Sequence, residues 1–163
     1  KWLERPVIAN NALLNNQDNA LAENFGKIEN NNGAQKGKSI LIDYSTSSYE
    51  VRFVYDDLIK KYVRYQGGKK HANRDGDALI ADTVIVSFMQ ASTIDSIGRL
   101  DIKTIGDGAG FACMSGVCRE IVWKKSSPGE RIKFFVRDQE LELMPGVTWL
   151  EIVPVGRNVE IGE

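Results

Sequence analysis

The sequence predicts a mainly β protein of the α+β class: an antiparallel β-sandwich or partly open barrel with one N-terminal helix. Three observations predict this class. From Ser39 onward, apolar and polar residues alternate with a period of two. Turn signals that contain Gly or Pro recur between the alternating segments. The sequence shows neither strand–helix–strand alternation nor an internal repeat. We therefore expect two regions: residues 1–38, a helix and a connecting loop, and residues 39–163, the antiparallel β domain.

The helix is predicted between Asn10 and Gly26. Leu14, Leu21 and Phe25 are spaced so that they share one apolar face of a helix. An asparagine can cap the start of this helix, and a glycine is a common residue just beyond a helix end. The residues from Ile28 to Lys38 are rich in Asn and Gly, which predicts an exposed loop between the helix and the β domain.

The β domain is expected to contain about eight to ten short strands. The clearest alternation covers residues 49–56, 80–88, 132–137 and 140–143. In the second of these segments, Val84, Val86 and Phe88 form one face, and Thr83 and Ser87 form the other. Such segments are typical of half-buried antiparallel strands that keep one face in water.

Composition narrows the class of protein further. The 163 residues include 21 Lys and Arg against 22 Asp and Glu, which gives a net charge of −1. A nucleic-acid-binding surface normally shows a basic excess, so we expect no nucleic-acid partner. No apolar run approaches the ~20 residues of a membrane span. Since the chain starts at Lys1 without Met or a signal-like segment, we expect it to be a piece of a longer protein.

The two cysteines, Cys113 and Cys118, flank a predicted hairpin turn at Ser115-Gly116. If this turn has two residues, the cysteines face each other in a non-hydrogen-bonded pair with Cα atoms ~4.5 Å apart, which is at the short end of disulfide geometry. The pattern favours a disulfide if the compartment is oxidising. The alternative is a pair of reduced thiols buried as small apolar groups. Two cysteines and one His are too few ligands for zinc.

Two loops superficially resemble ligand sites. Asn73, Asp75 and Asp77 have the spacing that begins a calcium loop, but the required Gly is misplaced and Val84 stands where a bidentate Glu should fall. A solvated turn is the favoured interpretation. Residues 106–110 are rich in Gly but precede a strand and not a helix, so a tight turn or bulge is favoured over a phosphate loop. We expect no metal and no cofactor.

An ordered set of motifs points to a known family. The set spans residues 55–154. Its most specific parts are Lys61-Tyr62-Val63-Arg64, Gly68-Lys69-Lys70-His71, Gly98-Arg99-Leu100-Asp101-Ile102, Ile121-Val122-Trp123-Lys124-Lys125 and Pro145-Gly146-Val147-Thr148-Trp149. In this order they resemble the C-terminal domain of the YerB-like lipoprotein family, a bacterial family without an established function.

The resemblance implies a lipoprotein that is held outside the membrane by a lipidated N-terminal Cys beyond this sequence, so the membrane contact is through that anchor. Such a location permits the Cys113–Cys118 bridge. It also implies an N-terminal domain as a partner. Family members usually have His-x-Asp where this chain has His71-Ala72-Asn73. If that Asp stabilises a charged imidazole, Asn73 cannot do so, unless Asp75 or Asp77 replaces it.

Candidate ligand-binding residues follow from the motif positions. They are Arg64, His71, Arg99, Trp123 and Lys125. Each has an alternative structural role. His71 is either a solvated loop residue or a ligand contact. Arg64 and Arg99 either pair with a carboxylate of the protein or present paired donors to a carboxylate or phosphate of a ligand. Trp123 either fills the core or stacks on a sugar, whereas Trp149 is expected in the core.

Three functions remain open. The favoured one is a non-catalytic extracytoplasmic module that binds wall glycan, wall peptide or an envelope protein, because no nucleophile–base pair stands at a recognisable spacing. The second is a hydrolase of an envelope polymer that uses Asp75, Asp77 or Asp101 as general acid or base. The third is a structural domain that packs on the absent N-terminal half, through a flat and partly apolar interface.

Overall fold

The computed structural model describes residues 33–163, which form fifteen β-strands and one short 3₁₀ turn, Ser47–Tyr49. The strands, in chain order, are β1 (Ala34–Lys36), β2 (Ser39–Ile42), β3 (Val51–Asp56), β4 (Lys61–Gln66), β5 (Lys69–Lys70), β6 (Ile80–Ala81), β7 (Thr83–Met89), β8 (Ala91–Thr93), β9 (Leu100–Ile102), β10 (Gly106–Met114), β11 (Val117–Lys125), β12 (Lys133–Val136), β13 (Gln139–Glu140), β14 (Thr148–Pro154) and β15 (Val159–Gly162). The helix predicted over residues 10–26 lies outside the described residues.

The strands form two large sheets and one hairpin. The 7-stranded sheet has the order β13-β12-β11-β10-β7-β14, with β1 beside β11. The 6-stranded sheet has the order β15-β2-β3-β4-β5, with β6 beside β4, and β8 and β9 form the 2-stranded sheet. The two large sheets share one core, in which Phe53 and Ile40 from one sheet lie among Val86 and Phe111 from the other. The predicted β-sandwich is confirmed. One pair of neighbours, β7 and β14, is parallel.

The segment 80–88, predicted as one strand, is divided between the two sheets. Ile80–Ala81 pairs with β4, and β7 pairs with β10 and β14. Asp82 stands at the division, where its carboxylate binds the Lys61 ammonium and accepts a hydrogen bond from the Val147 N–H at 2.8 Å. Asp82 therefore contacts the 6-stranded sheet through Lys61 and the segment before β14 through Val147. At this residue the chain passes from the 6-stranded to the 7-stranded sheet.

Both faces of β7 are buried, so the wet face predicted for this strand is absent. Val84, Val86 and Phe88 belong to the sandwich core. Ile85 and Met89, on the opposite face, belong to a second apolar cluster that also contains Ala112, Ile121, Trp123 and Phe134. This second cluster covers the outer face of the 7-stranded sheet. The alternation of apolar and polar residues in the sequence does not predict that this face is buried.

Two other local predictions need correction. Residues 34–36, expected within a loop, form β1 and pair with Val117–Arg119 of β11. The segment 140–143, expected as a strand, is extended only at Gln139–Glu140. Leu141 packs on the second apolar cluster and its N–H donates to the Phe134 carbonyl at 2.7 Å, whereas Leu143 is exposed.

The hairpin that joins β10 and β11 confirms the cysteine prediction. Met114 faces Val117 and Cys113 faces Cys118 across a two-residue turn. Cys113 and Cys118 form a disulfide with Cα atoms 4.0 Å apart, and both side chains are fully buried. Within the part of the chain that the structure describes, no helix has the length and apolarity needed to cross a membrane.

Candidate functional site

The candidate site is built around an ion pair between the two large sheets. Arg64 lies on β4 of the 6-stranded sheet, and Glu151 lies on β14 of the 7-stranded sheet. The Arg64 Nε lies 3.4 Å from Glu151 Oε1, and each side chain is only 9% exposed. Both residues occupy inward positions: Tyr62 precedes Arg64 by two residues, Val153 follows Glu151 by two, and both neighbours are fully buried. Period-two alternation therefore directs two charged groups into an apolar layer.

Both oxygens of the Glu151 carboxylate are occupied. Oε1 faces Arg64, and Oε2 accepts a hydrogen bond from the Tyr44 hydroxyl at 2.7 Å. The same hydroxyl lies 3.3 Å from the carbonyl oxygen of Ile152. Burial, and after it the Glu151 carboxylate, raises the pKa of Tyr44 above its usual range. Tyr44 therefore remains a neutral donor, and Glu151 remains a fully bonded acceptor.

The remaining contacts of the Arg64 guanidinium lie toward the surface. Nη1 donates to Gln66 Oε1 at 3.0 Å and is also bound to His71 Nδ1. A guanidinium has no acceptor, so His71 Nδ1 must carry the lone pair and Nε2 must carry the proton. The His71 N–H donates to the Arg64 carbonyl at 2.9 Å, which fixes the loop beside β4. The imidazole is therefore oriented with Nδ1 toward Arg64 and Nε2–H away from it.

Two aromatic rings enclose the guanidinium. Arg64 Cζ lies 4.8 Å from the centroid of the Trp149 ring and 5.8 Å from that of Phe53. Phe53 and Trp149 meet edge to face at 6.0 Å. Phe53 is fully buried and Trp149 is half-buried, so the cluster reaches the surface at Trp149. We call Tyr44, Arg64, Gln66, His71, Trp149 and Glu151 the Arg64 cluster.

The structure brings together two of the five sequence-predicted ligand residues, Arg64 and His71. Arg99 is exposed in the loop between β8 and β9, where it pairs with Asp95. Lys125 lies at the end of β11, where it pairs with Gly106, and is not part of the cluster. Trp123 is 3% exposed and belongs to the second apolar cluster.

The sequence favours Trp123 over Trp149 as a site residue. In the structure Trp123 is buried in the second apolar cluster, and Trp149 lies against Arg64. Trp123 Nε1 donates to the Phe88 carbonyl at 2.9 Å, and its indole crosses β10 above Gly108. A Cβ at Gly108 would lie 2.7 Å from that nitrogen, so the glycine provides the space for the indole. The Gly-rich run 106–110 is therefore neither a phosphate loop nor a turn but the first half of β10. Trp149 packs against the sandwich core and also covers Arg64.

Sequence reasoning missed Tyr44, Gln66 and Glu151. One signal could have found Glu151, because it stands between Trp149 and Val153 on the inward face of an alternating strand. A charge at such a position requires a partner. Tyr44 carries no signal, since it lies outside the strands and approaches Glu151 from 107 residues away in the sequence.

Asn73, which stands where the resemblance implies an aspartate, makes its side-chain hydrogen bonds within its own loop. Its Oδ1 accepts hydrogen bonds from the N–H groups of Asp75 and Asp77, at 2.9 and 2.8 Å. Its Nδ2 donates to the Asp77 carboxylate at 3.2 Å. The loop is thus closed by its own side-chain bonds. In residues 33–163, no group of three or more His, Cys, Asp or Glu side chains is placed to hold a metal ion.

The fold and the cluster define a β-sandwich domain with a buried, fully paired ion pair between its sheets. The family model for the C-terminal domain of a protein of unknown function, DUF3048, matches residues 40–150, and the chain belongs to this family. The crystal structure of the YerB protein from Bacillus subtilis is similar, with 25% sequence identity and a TM-score of 0.66. The match covers 82% of this chain and 46% of that one, so this chain spans about half the length of YerB. Comparison with curated proteins finds no match.

Proposed function

We propose that this chain is a non-catalytic binding module of the bacterial cell envelope and that the Arg64 cluster contacts its ligand. The ligand would be wall glycan, wall peptide or an envelope protein. One observation carries the proposal. Three donors of the buried Arg64 guanidinium are bound within the protein, while half-buried His71, Gln66 and Trp149 surround it at the surface. This combination fixes polar groups rigidly beside an apolar ring, as small-ligand sites do.

The hydrogen bonds of the cluster argue against hydrolysis. Glu151 is the one carboxylate among its contacts, and both of its oxygens are occupied. Asp75 and Asp77, considered above as general acids, lie in an exposed loop. Asp101 binds Lys103 at 2.7 Å on β9. A glycosidase needs two carboxylates across the scissile bond, and the cluster supplies none that is free.

The Cys113–Cys118 disulfide supports a location outside the cytoplasm, because disulfides persist in oxidising compartments. A lipid anchor beyond this sequence would then hold the domain at the membrane. Intact mass of protein purified from the native envelope tests this location. A mass about 2 Da below the fully reduced value is expected, since bridge formation removes two hydrogens. Two thiols that react after unfolding in the same sample would contradict it.

Co-sedimentation with purified cell-wall sacculi tests the binding function. The parent chain is compared with His71→Ala and Arg64→Lys, and each variant is checked for folding by circular dichroism. Arg52→Ala is the matched control, because Arg52 is an exposed arginine on β3 outside the cluster. Retention that is lost in the two cluster variants and kept in the control supports the proposal. Equal retention of all four proteins contradicts it, and release of wall fragments would indicate an enzyme.

A second candidate function is a structural domain that packs against another domain of a longer protein. Large apolar side chains are exposed near the start of β14, where Val147 is 50% exposed and Leu150 36%. Met144, at 40%, lies beside the β10–β11 hairpin, with its sulfur 3.6 Å from the Ser115 hydroxyl. Such a patch is typical of a protein interface. Failure of the parent chain to bind sacculi would favour this function.

A further inference from the structure

We infer that the group recognised by the Arg64 cluster is an uncharged amide carbonyl and not a phosphate or carboxylate. This inference rests on the proposed function, which it makes more specific. Amide carbonyls occur in two wall components, namely the acetamido groups of amino sugars and the peptide bonds of stem peptides. Both sources present the same amide carbonyl group, and the experiment below distinguishes them.

The first step of the argument is charge balance. Glu151 lies 3.4 Å from Arg64 Nε, so the net charge of the buried pair is about zero. An anionic ligand would enter a half-buried site that already contains its own anion. Without an unpaired cation, the site cannot repay the desolvation of the anion. The guanidinium therefore lacks the surplus charge with which arginines usually bind phosphate.

The second step is the count of free donors. Arg64 has five N–H groups, of which Nε and the two on Nη1 have acceptors in Glu151, Gln66 and His71. In residues 33–163, no acceptor is bound to Nη2, and Nη2 is absent from the buried atoms that lack a partner. Nη2 therefore keeps access to solvent. His71 Nε2–H is a second donor, since it has no acceptor within the same residues and His71 is half-buried.

The third step matches these donors to a ligand. A carbonyl oxygen has two lone pairs and no charge, so it can accept from Nη2 or from Nε2 without opposing Glu151. Half-buried Trp149 offers an apolar surface to the methyl or Cα group beside an amide. A hydroxyl is a weaker match, because its oxygen is a weaker hydrogen-bond acceptor than an amide carbonyl oxygen.

Competition for sacculus binding tests the inference. The probes are N-acetylchitotetraose, its matched control cellotetraose, N-acetyl-Ala-Ala-amide and glycerol phosphate, all at equal ionic strength. Cellotetraose has the same β-1,4 backbone but lacks the acetamido group. We expect the acetylated sugar or the capped peptide to compete at least about tenfold better than cellotetraose and glycerol phosphate. The more effective of the two amide probes identifies the source of the carbonyl.

Two variants test whether the competition depends on the Arg64 cluster. His71→Ala removes one donor and should weaken the amide probe about fivefold. Glu151→Gln leaves Arg64 unneutralised and should improve competition by glycerol phosphate. If Glu151→Gln does not fold, the ranking of the four probes on the parent chain decides the inference by itself.

Each outcome decides between the two proposals. Strongest competition by glycerol phosphate overturns the inference. Cluster-dependent sacculus binding that no amide probe displaces also overturns it but leaves the proposed function standing. Failure of the parent chain to bind sacculi overturns the inference together with wall binding, and an envelope protein is then the remaining ligand of the proposed function.

Discussion

Arg64 and Glu151 belong to different sheets, and their contact is a charged bond across the core of the sandwich. Arg64 Nε lies 3.4 Å from Glu151 Oε1, with both side chains 9% exposed. Tyr44, Gln66 and His71 complete the hydrogen bonds of the pair. A paired charge in an apolar layer adds little net stability, whereas a buried charge that has lost its partner is strongly destabilising.

The first prediction follows from this asymmetry. Arg64→Met leaves Glu151 buried without its cation and should lower the free energy of unfolding by about 3–5 kcal/mol. The double variant Arg64→Met/Glu151→Leu removes both charges and should lie within about 1–2 kcal/mol of the parent, because Tyr44 can still donate to the Ile152 carbonyl. Urea unfolding of the parent, the single variants and the double variant measures this coupling.

The exposed pair of Lys103 and Asp101 is the matched control. Lys103→Met should change the free energy of unfolding by less than about 1 kcal/mol, because solvent screens this pair. If the loss in the double variant equals the sum of the losses in Arg64→Met and Glu151→Leu, the charges do not interact, and the role assigned to the pair is wrong.

The second prediction concerns alkaline pH. Burial, and after it Glu151, raises the pKa of Tyr44, and burial also raises the pKa of Tyr62. Above the ordinary tyrosine pKa of about 10, the unfolded chain loses these protons while the folded chain keeps them. The folded state then binds more protons, so the free energy of unfolding should fall as the pH rises above this value, by up to about 1.4 kcal/mol per pH unit for each tyrosine.

Urea unfolding between about pH 9 and pH 11 measures this slope. Tyr44→Phe should remove one tyrosine's share of it. Tyr49→Phe is the control, since Tyr49 is 60% exposed and should leave the slope unchanged. An unchanged slope in Tyr44→Phe would mean that the Tyr44 hydroxyl ionises in the folded protein as readily as in water.

The third prediction concerns the approach of Gly37 to the disulfide. A Cβ at Gly37 would lie 2.2 Å from Cys118 Sγ, and the Gly37 N–H donates to the Gly116 carbonyl at 2.9 Å. Gly37→Ala should therefore lower the free energy of unfolding by about 1–3 kcal/mol. In a Cys113→Ala/Cys118→Ala background the loss should be smaller, because the sulfur is gone.

Thermal or urea unfolding of the four proteins gives this coupling. Gly129→Ala is the control, because nothing lies within 4 Å of a Cβ built at Gly129. A loss for Gly37→Ala that is no larger than for Gly129→Ala would contradict the close contact between Gly37 and the disulfide.

The sequence could predict the sandwich and the disulfide because both depend on local rules. Period-two alternation defines strands such as β3, and a two-residue turn at Ser115-Gly116 fixes the facing of Cys113 and Cys118. The division of 80–88 between two sheets could not be predicted in this way. It depends on contacts of Asp82 with Lys61 and Val147, which are distant in sequence.

The candidate site shows the same limit. Motif positions identified Arg64 and His71, but the group that completes the pair, Glu151, lies 87 residues from Arg64 in the sequence. Motif position also favoured Trp123 over Trp149 as a site residue. Which indole is buried depends on the second apolar cluster, and only the packing of strands on both faces of β7 creates that cluster.

The final prediction tests how Trp123 is held. Its indole N–H donates to the Phe88 carbonyl at 2.9 Å above Gly108, where a Cβ would lie 2.7 Å from the nitrogen. Gly108→Ala should displace the indole, lower the free energy of unfolding by about 1–3 kcal/mol and expose the indole N–H to faster hydrogen exchange. In a Trp123→Phe background the loss should be smaller, because the indole nitrogen is gone and the contact with the Phe88 carbonyl oxygen at 3.0 Å remains. NMR of the indole N–H signals and urea unfolding measure both effects. If the indole N–H of Trp123 still exchanges slowly in folded Gly108→Ala, its hydrogen bond to Phe88 does not require the glycine. The role assigned to Gly108 would then be wrong.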